Sequence, residues 1–399
     1  MHTAPRPSPS PATSESGPRD NTAARHRITT AAQLETIIGR PASLVLMKEL
    51  AELDDAARRM LDLAPLAGFG YRDAGGRPRS TVVGGEPGFA VVESPTRFAF
   101  ACDADASGPV SFVFLLPGVG ETLRVNGSVA ERSNGRIVIA VSQAYVHCAR
   151  AILRSRLWKP SVTSDPPPAT GAPPNTEGPV SATGNAAGTP ARADITEGPL
   201  SGTEIAGFLA ESPFAVVSSW DRDGGSDTSP RGDLPGFVQA IDGHTLVIPD
   251  RRGNKRADTF HNLLTDDGFA AALLVPGRTD VLHISGTALV TDDPELLAGM
   301  ALGSAVPQAA LVVTVERAEV TPSRAVAAAD LWDDAVRADA ATRSELMALT
   351  TKQLGAAKPA LRRPARVLAV FSRLLRRIMD ASYRRALRKE GYGDDLPKH

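Results

Sequence analysis

Apolar residues along this chain fall into two short-period series separated by a stretch with almost nothing to bury. The first series occupies 69–72, 89–92, 97–101, 112–116, 122–129 and 137–141, with Gly, Pro and Asn between the runs. That spacing predicts short antiparallel strands of a small barrel. A second series runs from 215 to 320. Ahead of the first, residues 34–63 carry apolar side chains at helical intervals broken at Gly39-Arg40-Pro41, which predicts two helices. Residues 1–27 lack periodicity and are expected to be disordered. Residues 159–200 are Pro, Gly, Ser, Thr and Ala and read as a linker, flexible yet extended by its prolines.

The tail changes period again. Over 365–388, Val367, Val370, Phe371, Leu374, Leu375, Ile378 and Met379 form one stripe, and Arg373, Arg376, Arg377, Arg384 and Arg385 form most of the rest. This predicts a basic amphipathic helix. Such a helix either packs on the barrels with a solvated Arg face or, through 361–390, meets an anionic membrane or a partner protein.

Set side by side, the two series repeat. The spacing from Pro65 to the PGF at Pro87 matches that from Pro213 to the PGF at Pro235, with RDAGG at 72–76 facing DRDGG at 221–225. Arg79-Ser80-Thr81 then fall near the place of Ser229-Pro230-Arg231. FLLPGVGETLRVNGSV from Phe114 faces LLVPGRTDVLHISGTAL from Leu273, and Leu157-Trp158 faces Leu331-Trp332. Landmarks recurring in order indicate an internal duplication. The copies differ where it matters: between PGF and the later PG, the first copy has the acidic CDADASG at 102–108 where the second holds a longer basic segment.

That segment, TLVIPDRRGNKRADTFHN at 245–262, reads as a strand ended by Pro249, then Arg251, Arg252, Lys255 and Arg256 around Gly253 and Asn254, then a helix from 257. Gly lets backbone approach an anion, Asn tolerates the turn, and cationic side chains with a helix N-terminus suit a phosphate. A solvated basic turn is the alternative reading.

Composition narrows the rest. The chain has 399 residues, 42% hydrophobic and 22% charged, enough for two or three globular domains. A net charge of −1 excludes a globally basic nucleic-acid binder, so no nucleic-acid partner is expected. Cys102 and Cys148 are the only cysteines and form no CxxC pair, so neither a disulfide framework nor a cysteine metal site is expected. Residues 1–22 have no apolar core of a secretory signal, and no apolar run reaches membrane-spanning length. These features imply a cytoplasmic protein.

The order of SPRGDLPGF at 229–237, the GNKR loop and VLHISGTALVTDD at 281–293 resembles the FMN-binding split-barrel family typified by pyridoxamine 5′-phosphate oxidase. The resemblance covers 201–332. It implies FMN as cofactor, with Lys255 and Arg256 on the phosphate, Arg251 and Asn254 assisting, Pro249 and Asp250 beside the flavin, and Arg231 aimed at the cofactor. Family members pair as homodimers with the flavin between barrels. Here the pairing is expected within the chain: the first copy lacks the phosphate loop but ends YVHCARAILRSRLW like single-barrel members. His147, Arg154 and Ser155 are therefore candidates on the substrate side, with a satisfied core pair as the alternative for His147 and Cys148. Trp158 and Trp332 read as core caps or flavin stackers, and His283 as structural. No residue is singled out as catalytic.

The expected architecture is mainly β with flanking helices: two tandem split β-barrels forming an intrachain pseudodimer. Its parts are 1–27 disordered, 28–158 first barrel, 159–200 linker, 201–332 second barrel and 333–399 basic helical tail. The expected function is an FMN-dependent oxidoreductase acting on a small molecule through one composite site. The alternative is a non-catalytic flavin- or haem-binding carrier or sensor.

Overall fold

The computed structural model describes residues 26–46, 49–159, 195–357 and 372–393. The expected disorder of 1–25, most of the linker and the start of the tail stripe (Val367, Val370, Phe371) lie outside the described residues.

Two antiparallel sheets form the body. The first contains β2 (Leu66–Arg72), β3 (Pro78–Gly84), β4 (Val91–Ser94), β5 (Arg97–Ala101), β6 (Ser107–Leu115), β7 (Thr122–Ser133) and β8 (Arg136–His147), in the order β3-β2-β6-β7-β8-β5-β4. The second contains β9 (Phe214–Trp220), β10 (Ser226–Gly232), β11 (Gln239–Ala240), β12 (Thr245–Pro249), β13 (Gly268–Leu274), β14 (Asp280–Thr291) and β15 (Ala310–Pro322). Its order, β10-β9-β13-β14-β15-β12-β11, is the same path.

Register shows the duplication residue by residue. Leu66 pairs with Gly84 and with Leu115, as Phe214 pairs with Gly232 and with Leu274. The ladders β7–β8 and β14–β15 both slip at the glycine of the NG or SG pair, Asn126/Gly127 and Ser285/Gly286. A bulge shared by the two copies bends both long strands at one point. The strand β3 was not legible as a strand, because Pro78, Arg79 and the glycines around it mask its alternation. Its pairing also corrects the sequence alignment: Val83, opposite Ala67, takes the place of Arg231, opposite Ala215.

The sheets pack on each other within the chain. Leu66, Val113, Leu115, Ile152, Leu157 and Trp158 share one core with Phe214, Val216, Leu274, Val281, Val326 and Leu331. Beside it runs a buried hydroxyl chain: Ser111 bonds Ser226 at 2.7 Å and Thr228 at 2.8 Å, and Ser218 bonds Thr228 at 2.9 Å and Ser80 at 3.1 Å. Closeness there depends on a missing side chain, since a Cβ on Gly70 would lie 2.4 Å from both Ser218 Oγ and Thr228 Oγ1. Gly70→Ala is therefore expected to destabilise the protein by about 1–3 kcal/mol, read as a shift in denaturation midpoint. An unchanged midpoint would show that the two sheets are not tightly joined.

The termini cross over. Residues 28–63 were expected to lead into the first barrel, yet β1 (Arg27–Ile28) pairs with β14, and Leu34 and Ile38 of the helix Ala31–Ile38 enter the second core. Arg27 is thus ordered. Conversely Leu346 of the C-terminal helix Ala340–Ala357 enters the first core, and Glu345 meets Arg59 at 3.1 Å. The helix Ser372–Lys389 turns Arg376, Asp380 and Leu387 inward, with Arg376 held by Glu121 at 2.5 Å and Asp380 at 3.1 Å. Its packed face is thus largely ionic, because Glu121 and Asp380 supply partners there, while Leu374 and Ile378 of the expected stripe face outward.

Candidate functional site

A cavity of about 90 Å³ lies where the end of β8 and the helix Arg150–Ser155 of the first copy face β10, the end of β12 and residues 250–259 of the second. The helix sits close because Gly232 has no side chain: a Cβ there would lie 2.0 Å from the Ala151 carbonyl oxygen. The loop between β12 and the helix Asp258–Leu263 has no counterpart in the first copy, where 102–106 join β5 to β6 directly. Within it Lys255 and Ala257 both take left-handed backbone, φ 63° and 54°. Strain of that kind in non-glycine residues gathers at functional sites.

His147, Arg154, Arg231, Pro249, Asp250, Arg251, Asn254, Lys255 and Arg256 all line this cavity. Ser155 and Trp158 do not. The Ser155 hydroxyl donates to the Ala151 carbonyl at 2.8 Å, which closes it onto its own helix. Trp158 is buried in the core between the sheets and donates to the Val119 carbonyl at 2.8 Å, so it caps a core.

Charge in the site is nearly balanced. Arg231 meets Asp250 at 2.6 Å, Arg251 meets Asp233, and Arg256 meets Asp258 at 2.9 Å and Glu49 at 3.1 Å. Arg150 and Arg154 both donate to the Arg252 carbonyl and to Glu390, the latter at 3.0 and 2.5 Å. Tyr392 donates to Asp233 at 2.6 Å, so the C-terminal segment ties both walls together. Lys255 is exposed, lies against Gly39, and makes no ion pair among the described residues. Beneath the loop Tyr145 lies between two guanidinium groups, Arg256 at 4.2 Å and Arg124 at 5.0 Å from the ring centre, and donates to Asp258 at 3.0 Å. Arg124 also pairs with Asp227, both almost fully buried.

These surroundings set protonation. Burial would raise the Asp258 carboxyl, but Arg124 and Arg256 outweigh it and hold it at about 2. Burial, reinforced by Arg124 and only partly opposed by Asp258, pushes His147 down to about 3, so its imidazole is neutral. Asp250 is raised by burial against the pull of Arg231. Unused polar atoms remain: the donors Arg154 Nε, Arg231 Nε and Arg256 Nη1 and the ring nitrogen His147 Nδ1 are buried without a hydrogen-bond partner. Asn254 spends its side-chain oxygen on the Arg256 N–H at 3.1 Å, which leaves its amide N–H₂ to donate. The helix contributes less than expected, for it is only six residues long and already has Asp258 in its first turn.

Sequence reasoning missed Arg124, Tyr145, Asp258, Asp233 and Glu390. A charge in the strand TLRV was a signal for Arg124, which occupies the place of His283 in the other copy. Tyr145, Asp233 and Glu390 gave none, since their partners lie at a distance in sequence, whereas Asp258 stands two residues from its partner Arg256. Among the described residues no group of His, Cys, Asp or Glu is arranged to hold a metal ion.

The pseudosymmetric groove is different. Val83 stands for Arg231 and Thr321 for His147, and in the helix Arg324–Ala329 Ala328 stands for Arg154. A Cβ on Gly85 would come within 3.2 Å of Ala328 Cβ, so backbone and helix approach closely there.

Residues 202–330 match the family model of pyridoxamine 5′-phosphate oxidase. Among solved structures, HupZ of Group A Streptococcus is 20% identical, with 29% of this chain and 90% of that chain covered, at a TM-score of 0.25. A putative pyridoxamine 5′-phosphate oxidase from Lactobacillus delbrueckii is 18% identical over 28% of this chain and 87% of that one, TM-score 0.23. The general stress protein 26 of Bacillus anthracis is 13% identical over 30% and 92%, TM-score 0.23. Comparison with curated proteins gave no match. The matched segment is thus similar to the pyridoxamine 5′-phosphate oxidase family, and its strand path is repeated ahead of it in the chain.

Proposed function

We propose that the chain binds one FMN in the cavity between its two copies and acts as an FMN-dependent oxidoreductase on a small molecule. The observation that carries this reading is the set of buried, unpartnered donors on Arg231, Arg256 and Arg154, with the unpartnered ring nitrogen of His147, around a cavity that neither copy builds alone. Those donors suit an anionic, hydrogen-bonding ligand, since a buried donor left unsatisfied costs about 1–3 kcal/mol. The volume suits the phosphate end; typical ligand pockets are roughly 300–1,000 Å³, so the ring end needs the wall to open. The Glu390 and Tyr392 contacts are the part of that wall carried by a terminal segment.

Bound FMN would supply the hydride or two-electron chemistry. Lys255 and Arg256 hold the phosphate, with Asn254 donating beside them. Arg231 is fixed by Asp250 and faces the cofactor with one free N–H. His147, neutral and unpartnered, offers a ring nitrogen without adding charge. Cys102 and Cys148 are free thiols, which supports a reducing cytoplasm as the place of action. Among the described residues no helix is long and apolar enough to cross a membrane.

Titrating the purified protein with FMN is expected to give one site per chain, with flavin absorbance that bleaches under a reductant and recovers in air. Two equivalents bound would overturn the composite site. His147 also favours a second reading, haem carriage, because a neutral imidazole nitrogen is an iron ligand. A haem-type visible spectrum with no flavin retained would select it.

A further inference from the structure

We propose that the helix Ser372–Lys389 docks the protein on an anionic phospholipid surface. This helix fixes itself to the body through Arg376, Asp380 and Leu387, which leaves the opposite side outward. There Leu374 and Ile378, one turn apart, are 55% and 57% exposed. Side by side on that face, the two aliphatic side chains form an apolar ridge.

Charge says what it meets. Apart from Asp380, every charged residue of the helix is basic, in a chain whose net charge is −1, so positive charge is segregated here. Arg373 and Arg377 immediately precede the two aliphatic residues, and Arg385 follows on the same outward side. All three are exposed and have no ion-pair partner among the described residues. An apolar ridge flanked by unpaired arginines is the pattern of a helix lying in a headgroup layer, ridge down, with guanidinium groups at the phosphates. A second copy of this chain fits worse, because a symmetric contact would set two arginine-rich faces against each other.

The test is flotation of the full-length protein with vesicles of phosphatidylcholine alone or mixed with phosphatidylglycerol. Binding is expected to the mixed vesicles only, and to fall as salt is raised. Changing Arg373, Arg377 and Arg385 together to Gln should weaken it on the order of a hundredfold. The pair Leu374→Ser and Ile378→Ser should weaken it by about tenfold or more. Both variants should melt with the wild type, since the altered side chains face out. The proposal is overturned by equal binding to neutral vesicles, by absence of binding, or by variants that bind like the wild type. It is also overturned if the protein self-associates through these residues or binds an acidic protein there while ignoring vesicles.

Discussion

Replacing Lys255 by Ala is expected to weaken FMN binding by about ten- to a hundredfold and to leave the melting temperature unchanged. Arg256→Ala should lose both. The two neighbours do different physical jobs despite sharing one motif. Lys255 is exposed, held in left-handed backbone, and makes no ion pair among the described residues, so its charge is available and removing it disturbs nothing else. A hydrogen bond to a charged group contributes roughly 1.5–3 kcal/mol, which converts to that loss of affinity. Arg256 is only 8% exposed, pairs with Asp258 and Glu49, and covers the Tyr145 ring. Taking it away strands Asp258 against Arg124 alone, and breaking a buried pair costs about 3–5 kcal/mol. Fluorescence quenching of added FMN and a thermal melt on each variant separate the effects. Wild-type affinity in Lys255→Ala would remove the phosphate loop from the site.

How far the sequence led depended on how local each signal was. The repeat, the two strand series and the basic loop were legible because each is written in consecutive residues: alternation, Gly/Pro punctuation, GNKR. What was illegible is what the chain assembles over distance. Nothing near Glu390 announces that it will meet Arg150 and Arg154, and nothing in the first helix says that Leu34 will pack in the second core. Ser155 failed for a different reason: a serine in a helix can always bond back to its own turn, and this one does. The loss of the basic loop from the first copy was legible in its acidic segment, and register adds that Val83 and Ala328 stand where the cavity between the copies has Arg231 and Arg154. Arg124 shows the limit most plainly. It sits in a strand whose neighbours are apolar, and only the facing Asp227 and Asp258 of the other copy explain why it is tolerated.

That buried charge predicts an acid profile. Without added FMN, the protein is expected to lose stability steadily as pH falls below about 6.5, and His147→Gln should flatten the upper part of that slope. In the fold His147 takes a proton only near pH 3, because burial comes first and Arg124, Arg256 and Arg231 add to it, with Asp258 alone opposing. An unfolded histidine takes one near 6.5, so between these values the unfolded chain binds the extra proton and stability drops as pH falls, by about 2 kcal/mol at pH 5. His283, also lowered by burial, acts in the same direction and remains in the variant, so the difference between the two curves belongs to His147. Asp258 acts lower down. Its contribution is complete above about 3.8 and is lost as pH falls toward 2, on the order of 2 kcal/mol. Urea denaturation at a series of pH values measures both limbs. Parallel curves for wild type and His147→Gln between pH 7 and 5 would mean that His147 is not a buried neutral imidazole, and the unpartnered nitrogen offered to the ligand would go with it.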